Sequence, residues 1–305
     1  MASKQSGAVT LLYQSWLAST GEDDLIQGPD DWDILATEPG GVDYLETHAA
    51  GVPAMWAVPK GAAQDRVLMC IHGGGFISGS IYTHRKLFAH LAKAAGVRAL
   101  IVGYRILPEG VHPAPVEDVV TAYRWLLAQS IPADQIAFTG DSAGGGLAVT
   151  AQLVARDLGL AVPASALLMS PWVDMAVAGA SVETNRDKDV LFNKEWITQM
   201  ARGFVGETDP RDPRVSPIYG DLAGISPLYI QVGGYELLLD DSRRLAHNAG
   251  VAGVEVVLDV FAEMQHTFQM MVGRAPEADE AIRRMADWVR PRLGLVGATR
   301  ADRAS

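Results

Sequence analysis

Short apolar segments rich in β-branched residues alternate along this chain with longer segments of helical period, which restricts the fold more than any other feature. The strand candidates include "RVLMCI", "RALIVGY", "QIAFTG", "SALLMS" and "PLYIQVG", and a helical segment follows most of them. This alternation predicts an α/β fold with a mostly parallel central sheet and helices on both faces. An earlier pair, "DYLETHA" and "AMWAVPK", has no helix between its members and predicts a hairpin at an antiparallel edge.

Two regions lie outside this alternation. Residues 1–40 have helical character before the first strand, and residues 175–225 interrupt the succession of strands and helices. Ligands of such sheets bind beyond the carboxyl ends of the strands, so both regions predict a helical cap over that end. Residues 41–174 and 226–296 then form the core domain. The small polar tail at 297–305 predicts disorder.

The composition excludes several classes of partner. The chain has 305 residues, 49% hydrophobic side chains and a formal net charge of −11, so it can bury a large core. Acidic residues are spread along it without a basic stripe, so nucleic acid and anionic membranes would be repelled. No apolar leader with a cleavage site and no 18-residue apolar stretch occurs. We therefore expect a cytoplasmic protein without nucleic-acid or membrane partners.

A strand, a G-x-S-x-G pentapeptide and a helix follow one another in "QIAFTGDSAGGGLAVTAQLVARDL". This order is the context required of a nucleophile elbow, in which a serine sits on a tight strand-to-helix turn. Gly140 and Gly144 lack the Cβ atoms that would collide where strand and helix pack at the turn. Ser142 would project from the sheet beside a helix N-terminus, where developing negative charge is favoured. The segment predicts Ser142 as a catalytic nucleophile.

A serine nucleophile needs a base, because its hydroxyl is a poor nucleophile at neutral pH. In folds with this elbow the chain order is serine, acid, histidine, and only His247 and His266 lie after Ser142. His247 lies in the charged helical segment "DDSRRLAHNAGV" and is expected at the surface. His266 follows the strand "VEVVLDVF" by a short loop, which places it at the same edge of the sheet as the serine. His266 is therefore the predicted base.

The acid that orients this base should follow the strand "PLYIQVGG". Glu236 lies in the loop directly after the strand. Asp240 and Asp241 come at least one turn later, where they more naturally cap or solvate the next helix. We predict Glu236 as the acid and keep Asp240 as the alternative. Asp141, beside the nucleophile, is expected to fix neighbouring loops rather than to transfer protons.

Three consecutive glycines follow a histidine in "IHGGGFISGS", after the strand "RVLMCI". When serine attacks a carbonyl, the oxygen gains negative charge, and fixed N–H donors aimed at it usually supply the largest stabilisation. Glycines leave the backbone open to such an approach. We predict that the N–H groups of Gly74, Gly75 and Ala143 form this oxyanion hole. His72 and Gly73 would support the loop.

Neither a metal nor a disulfide is expected. Cys70 is the only cysteine and lies in an apolar run, which favours an inert buried thiol. His84 and His90 are close in sequence, but no third ligand converges on them. Hydrolysis by a serine, a histidine and a carboxylate also requires no cofactor.

Taken in order, these motifs resemble the bacterial hormone-sensitive-lipase-like esterases (family IV carboxylesterases) of the α/β-hydrolase superfamily. The shared stretches are "HGGGF", "YRILPEGVHPAPVEDVVTAYRWL", "GDSAGGGLA", "SPWVDM", "GGYELLLDDS" and His266. The resemblance covers nearly the whole chain from about residue 40. It implies an α/β-hydrolase fold with a helical cap, hydrolysis of short-acyl esters and a possible homodimer. One departure is the acid, since the family often has Asp in an Asp-Pro-Leu sequence where this chain has Glu236.

We therefore expect a serine carboxylesterase that acts on a small-molecule ester through an acyl-enzyme. An amidase or formamidase remains open, because amide cleavage passes through the same oxyanion. A true lipase is disfavoured, since no long apolar lid is obvious. A small-ligand receptor on this fold is another class of function. It is disfavoured because Ser142, Glu236 and His266 are all present.

Overall fold

The alternating segments of the sequence form one eight-stranded sheet in a computed structural model, which describes residues 2–19 and 31–295. The strands are β1 (Val42–Ala49), β2 (Val52–Pro59), β3 (Ala63–Ile71), β4 (Val97–Val102), β5 (Ile136–Asp141), β6 (Ser165–Met169), β7 (Leu228–Gly233) and β8 (Val256–Phe261). Their order across the sheet is β1-β2-β4-β3-β5-β6-β7-β8. The tail for which disorder is predicted lies outside the described residues.

The sheet is parallel from β4 to β8 and antiparallel at one edge. β1 and β2 form a hairpin, and β2 also pairs antiparallel with β4, which confirms the predicted antiparallel edge. Every residue of β5, β6 and β7 is buried. These central strands are buried along their whole length, as strands covered on both faces of a sheet are.

Helices cover both faces of the sheet, and two further helices lie in the segment before β7. Their bounds are α1 (Lys4–Ser19), α2 (Arg85–Ala95), α3 (Ala114–Ala128), α4 (Ser142–Asp157), α5 (Ser181–Thr184), α6 (Lys194–Val205), α7 (Leu239–Val251) and α8 (Pro276–Arg292). α2 packs against α8, whereas α3 packs against α4, and α7 packs on β7 and β8. The α/β architecture predicted from the sequence is confirmed.

The carboxyl ends of the parallel strands bring four chain segments to one edge. β3 runs into the glycine-rich loop, β5 into α4, and β7 and β8 into the loops that carry Glu236 and His266. Because parallel strands all end at the same edge, segments far apart in sequence meet there. Among the described residues, no helix is long and apolar enough to cross a membrane.

Candidate active site

The turn between β5 and α4 holds Ser142 in a backbone conformation that residues other than glycine rarely adopt, with φ at +51°. A methyl carbon at Gly140 would lie 2.4 Å from the carbonyl oxygen of Gly144. One at Gly144 would lie 2.0 Å from the carbonyl oxygen of Ile71 and 2.4 Å from that of His72. Both glycines are therefore required by close backbone packing, and this packing joins the serine turn to the end of β3.

His266 and Glu236 form a buried pair beside this turn. His266 Nδ1 lies 2.7 Å from Glu236 Oε2, and both side chains are almost completely buried. The other carboxylate oxygen, Oε1, accepts hydrogen bonds from the backbone N–H of Gly233 and from Ser170 Oγ, which lies 2.8 Å away. An ionised carboxylate oxygen can only accept, so a hydrogen bond to Oε2 requires a proton on Nδ1. His266 Nε2 has no hydrogen-bond partner among the described residues, so it is free to accept one.

The other sequence candidates for base and acid lie elsewhere. His247 is exposed on α7, as expected. Asp240 Oδ2 accepts from the backbone N–H of Ser181, 2.9 Å away, and Asp241 Oδ2 accepts from the N–H groups of Val173 and Asp174. Both aspartates lie in the first turn of α7 and bind backbone between β6 and β7 rather than His266.

The glycine-rich loop lies against the turn that carries Ser142 and is held there by Asp141. The backbone N–H of Gly73 donates to Asp141 Oδ1 over 3.0 Å, so it is already engaged. Among the described residues, none accepts a hydrogen bond from the N–H of Gly74 or of Gly75. Gly74 and Gly75 have φ of +108° and +63°, and both line a cavity together with Ser142.

Ala143 lies in the first turn of α4 with its methyl group fully buried. N–H groups in the first turn of a helix have no partner within the helix, so that of Ala143 remains a possible donor. The methyl group does not line the cavity beside Ser142. Only a main-chain role at the site therefore fits this residue.

His72, at the start of the same loop, is held by Tyr104 and contacts the backbone of Gly73. Its ring stacks on Tyr104 with centroids 4.2 Å apart, and Tyr104 Oη donates to the His72 carbonyl over 2.8 Å. His72 Nδ1 lies 2.8 Å from the carbonyl oxygen of Gly73, which can only accept, so Nδ1 carries the proton of a neutral ring. Burial lowers the pKa of His72 to about 3, and this imidazole stays neutral in the folded protein.

The lowered pKa of His72 predicts a loss of stability in acid. The unfolded imidazole titrates near pH 6.5, so between pH 6.5 and about 3 the unfolded chain binds the extra proton and stability falls as pH falls. At pH 5 the loss should be about 2 kcal/mol in the free energy of unfolding. We expect His72→Asn to reduce the stability lost between pH 7.5 and pH 5 by about this amount when urea unfolding is measured at both pH values. His247→Asn, which removes an exposed ring, should keep the wild-type difference. If wild type and His72→Asn lost stability equally, the neutral buried ring would be contradicted.

The cavity beside Ser142 has an empty volume of about 370 Å³. Side chains from the N-terminal region, the glycine-rich loop and the segment before β7 make it mostly apolar. They are Trp32, Ile77, Leu191, Phe192, Trp196 and Met200. The ring of Phe192 packs edge-on against that of His266, with centroids 4.9 Å apart. An apolar wall therefore faces both the serine and the histidine.

Sequence reasoning missed this wall, together with the residue that holds it. Asp189 is buried, and its Oδ1 accepts from the N–H groups of Leu191 and Phe192, 2.9 Å away in each case. Its Oδ2 accepts from the N–H of Leu237, the residue after Glu236, over 2.7 Å. Burial raises the pKa of Asp189. The spacing of Trp196 and Met200, four residues apart on a helix, was the only sequence signal for the wall.

No group of three His, Cys, Asp or Glu side chains within residues 2–19 and 31–295 is arranged to hold a metal ion. Cys70 is buried in β3, and burial raises the pKa of its thiol well above the usual range. The groups gathered beside the cavity are a serine hydroxyl, a histidine ring, a carboxylate and backbone N–H groups.

Comparison with known proteins places this geometry in a family. The family model described as "alpha/beta hydrolase fold" matches residues 68–270. An acetyl-hydrolase of Streptomyces hygroscopicus is 42% identical over 242 residues, which are 79% of this chain and 80% of that protein. An esterase of Acinetobacter venetianus is 34% identical over 228 residues, 74% of this chain and 75% of that one.

A solved structure gives the same assignment. The crystal structure of an esterase from the bacterial hormone-sensitive lipase family superposes with a TM-score of 0.92 at 39% identity, covering 96% of this chain and 100% of that one. Fold and sequence similarity thus extend over nearly the whole chain. The protein belongs to the α/β-hydrolase fold family and, within it, to the bacterial hormone-sensitive-lipase-like esterases.

Proposed function

We propose that this protein is a carboxylesterase that hydrolyses short-acyl esters through an acyl-enzyme on Ser142. The observation that carries the proposal is one apolar cavity lined by Ser142, His266, Gly74 and Gly75. Glu236 lies directly behind the histidine, 2.7 Å from its Nδ1. The relatives named as esterases and acetyl-hydrolases support the same reaction class.

Acylation begins at the free nitrogen of the histidine. His266 Nε2 accepts the proton of Ser142 while Oγ attacks the ester carbonyl, and Glu236 stabilises the imidazolium that forms. The same nitrogen then gives the proton to the leaving alcohol as the C–O bond breaks. In the second half, His266 takes a proton from water, which attacks the acyl group, and returns that proton to Ser142. Each bond broken is matched by one formed, and no cofactor enters.

The oxyanion is held by main-chain donors in this proposal. Gly74 and Gly75 supply two N–H groups that no described residue occupies, and Ala143 supplies a third from the first turn of α4. Gly73 has its N–H engaged by Asp141, so it supports the loop rather than the substrate. Loss of a single donor in such a site costs about 10²- to 10³-fold in kcat.

The side chains that line the cavity set the proposed acyl preference. Apart from Ile77, its wall comes from residues 1–40 and 175–225, which we propose as a cap on the core formed by 41–174 and 226–296. Trp196 and Met200 of α6 would limit the length of the acyl chain.

A series of p-nitrophenyl esters from C2 to C16 tests this function. We expect kcat/KM to be highest near C4, because longer chains would meet the side chains of Trp196 and Met200, and Ser142→Ala serves as the control. A maximum at C12 or longer would contradict the short-acyl assignment. Butyramide and N-formyl substrates run beside the esters separate an amidase or formamidase from an esterase. Binding of esters without release of p-nitrophenol would identify a receptor.

A further inference from the structure

The peptide unit between His266 and Thr267 is held by hydrogen bonds at both of its ends. Its carbonyl oxygen accepts from Tyr13 Oη of α1 over 3.1 Å. Its N–H, which belongs to Thr267, donates to Ser170 Oγ over 3.2 Å. Ser170 in turn donates to Glu236 Oε1 over 2.8 Å. The N-terminal helix thus holds the carbonyl end of this peptide through Tyr13. Ser170, which is itself bound to Glu236, holds the N–H end.

This peptide needs such support because Thr267 has a left-handed backbone, with φ at +49°. For a β-branched residue this conformation is strained and persists only where the surroundings determine it. Tyr13, Ser170 and Thr267 are all buried, so no water competes for these bonds. Burial also raises the pKa of Tyr13, and the phenol keeps the proton that it donates.

The direction of the imidazole depends on this peptide. His266 must point Nδ1 at Glu236 and Nε2 at the serine at once, and a misplacement of about 1 Å can cost 10²-fold in rate. The contact between Nδ1 and Glu236 fixes one end of the ring. The backbone that carries the ring is fixed by the two hydroxyl groups on the His266–Thr267 peptide.

Resting on the proposed function, we infer that Tyr13 and Ser170 are positioning residues for His266. Neither touches the substrate in this assignment, and both act through the His266–Thr267 peptide. Ser170 has a second action, because it also holds Glu236. The N-terminal helix is thereby a part of the catalytic apparatus that reaches the base from a position 253 residues earlier in the chain.

The N-terminal helix offers a matched control. Ser6 Oγ donates to Glu277 Oε2 over 2.7 Å, a second attachment of the same helix to the segment that follows His266. Ser6→Ala removes an attachment of α1 without touching the His266–Thr267 peptide. Tyr13→Phe removes one hydroxyl from the same helix and keeps the ring.

The test measures kcat and KM for p-nitrophenyl butyrate in Tyr13→Phe, Ser170→Ala, the double variant and Ser6→Ala. We expect kcat to fall about tenfold in Tyr13→Phe and between about tenfold and 100-fold in Ser170→Ala, with KM within about twofold of wild type. The double variant should lose less than the product of the two single losses, since both bonds hold one peptide. Ser6→Ala should keep the wild-type kcat.

A spectroscopic measurement makes the inference independent of turnover. The proton between His266 Nδ1 and Glu236 should give a far-downfield resonance in wild type and Ser6→Ala, and a broadened one in Tyr13→Phe. An unchanged kcat and an unchanged resonance in Tyr13→Phe would overturn the positioning role, as would equal losses in Tyr13→Phe and Ser6→Ala. Failure of the proposed function would look different, because wild type itself would then release no p-nitrophenol.

Discussion

Replacing Ser142 with alanine is expected to lower kcat for p-nitrophenyl butyrate by about 10⁵- to 10⁶-fold. Without Oγ no acyl-enzyme can form, and His266 and the backbone donors alone give only the slow attack of water on bound ester. KM should change little, because the apolar wall that binds the acyl group is intact. The effect is measured from initial rates of the purified variant, at enzyme concentrations high enough to detect the residual activity.

Covalent labelling gives a second measure of the same serine. A fluorophosphonate should add one phosphonyl group to wild type, seen as a single mass increase, and none to Ser142→Ala. Ser15→Ala, which removes an exposed hydroxyl from α1, should be labelled and active like wild type. Substantial turnover or labelling of Ser142→Ala would show that another residue is the nucleophile.

Changing Glu236 to glutamine is expected to lower kcat by about 10³- to 10⁴-fold. The glutamine keeps the size of the side chain and can still accept from Gly233 and Ser170 through one oxygen. Its amide group would then face His266 Nδ1 and favour the tautomer with the proton on the wrong nitrogen. The protein should stay folded, so the loss should appear in kcat without a comparable loss of thermal stability.

Asp240→Asn is the matched control for the acid. Asp240 follows Glu236 by one helical turn, but its carboxylate binds the backbone of Ser181 and lies 3.4 Å from Arg243. An asparagine oxygen can still accept from Ser181, so kcat should stay within about twofold of wild type. Loss of activity in Asp240→Asn together with retention in Glu236→Gln would reverse the assignment of the acid.

Much of the fold and the chemical core of the site could be predicted because their signals are local. Gly140, Ser142 and Gly144 stand in one pentapeptide, and the strand and helix on either side of it have clear periods. His266 was found by chain order and by its place after a strand. Position after a strand also favoured Glu236 over Asp240, which comes about one turn later in the sequence. The structure places the carboxylate of Glu236 against the ring of His266.

The support of the site could not be predicted, because it depends on contacts between distant segments. Tyr13 lies 253 residues from His266, whose carbonyl oxygen accepts its hydrogen bond. Ser170 lies 97 residues from Thr267, whose N–H donates a hydrogen bond to it. Leu191 and Phe192 come from an irregular segment whose path is set by the buried carboxylate of Asp189. No periodicity marks such residues, since a single hydroxyl or carboxylate gains its role only from tertiary packing.

The backbone contact at Gly144 restricts which sequence changes this protein can tolerate during evolution. Every residue other than glycine there would drive a carbon into the carbonyl oxygen of Ile71, so the position is closed to substitution. The spacing between the glycine-rich loop and the serine turn is therefore a property of the main chain. Side chains of the wall, such as Trp196 and Met200, can diverge without disturbing that spacing. New substrates can thus be acquired through the wall while the reaction itself is inherited unchanged.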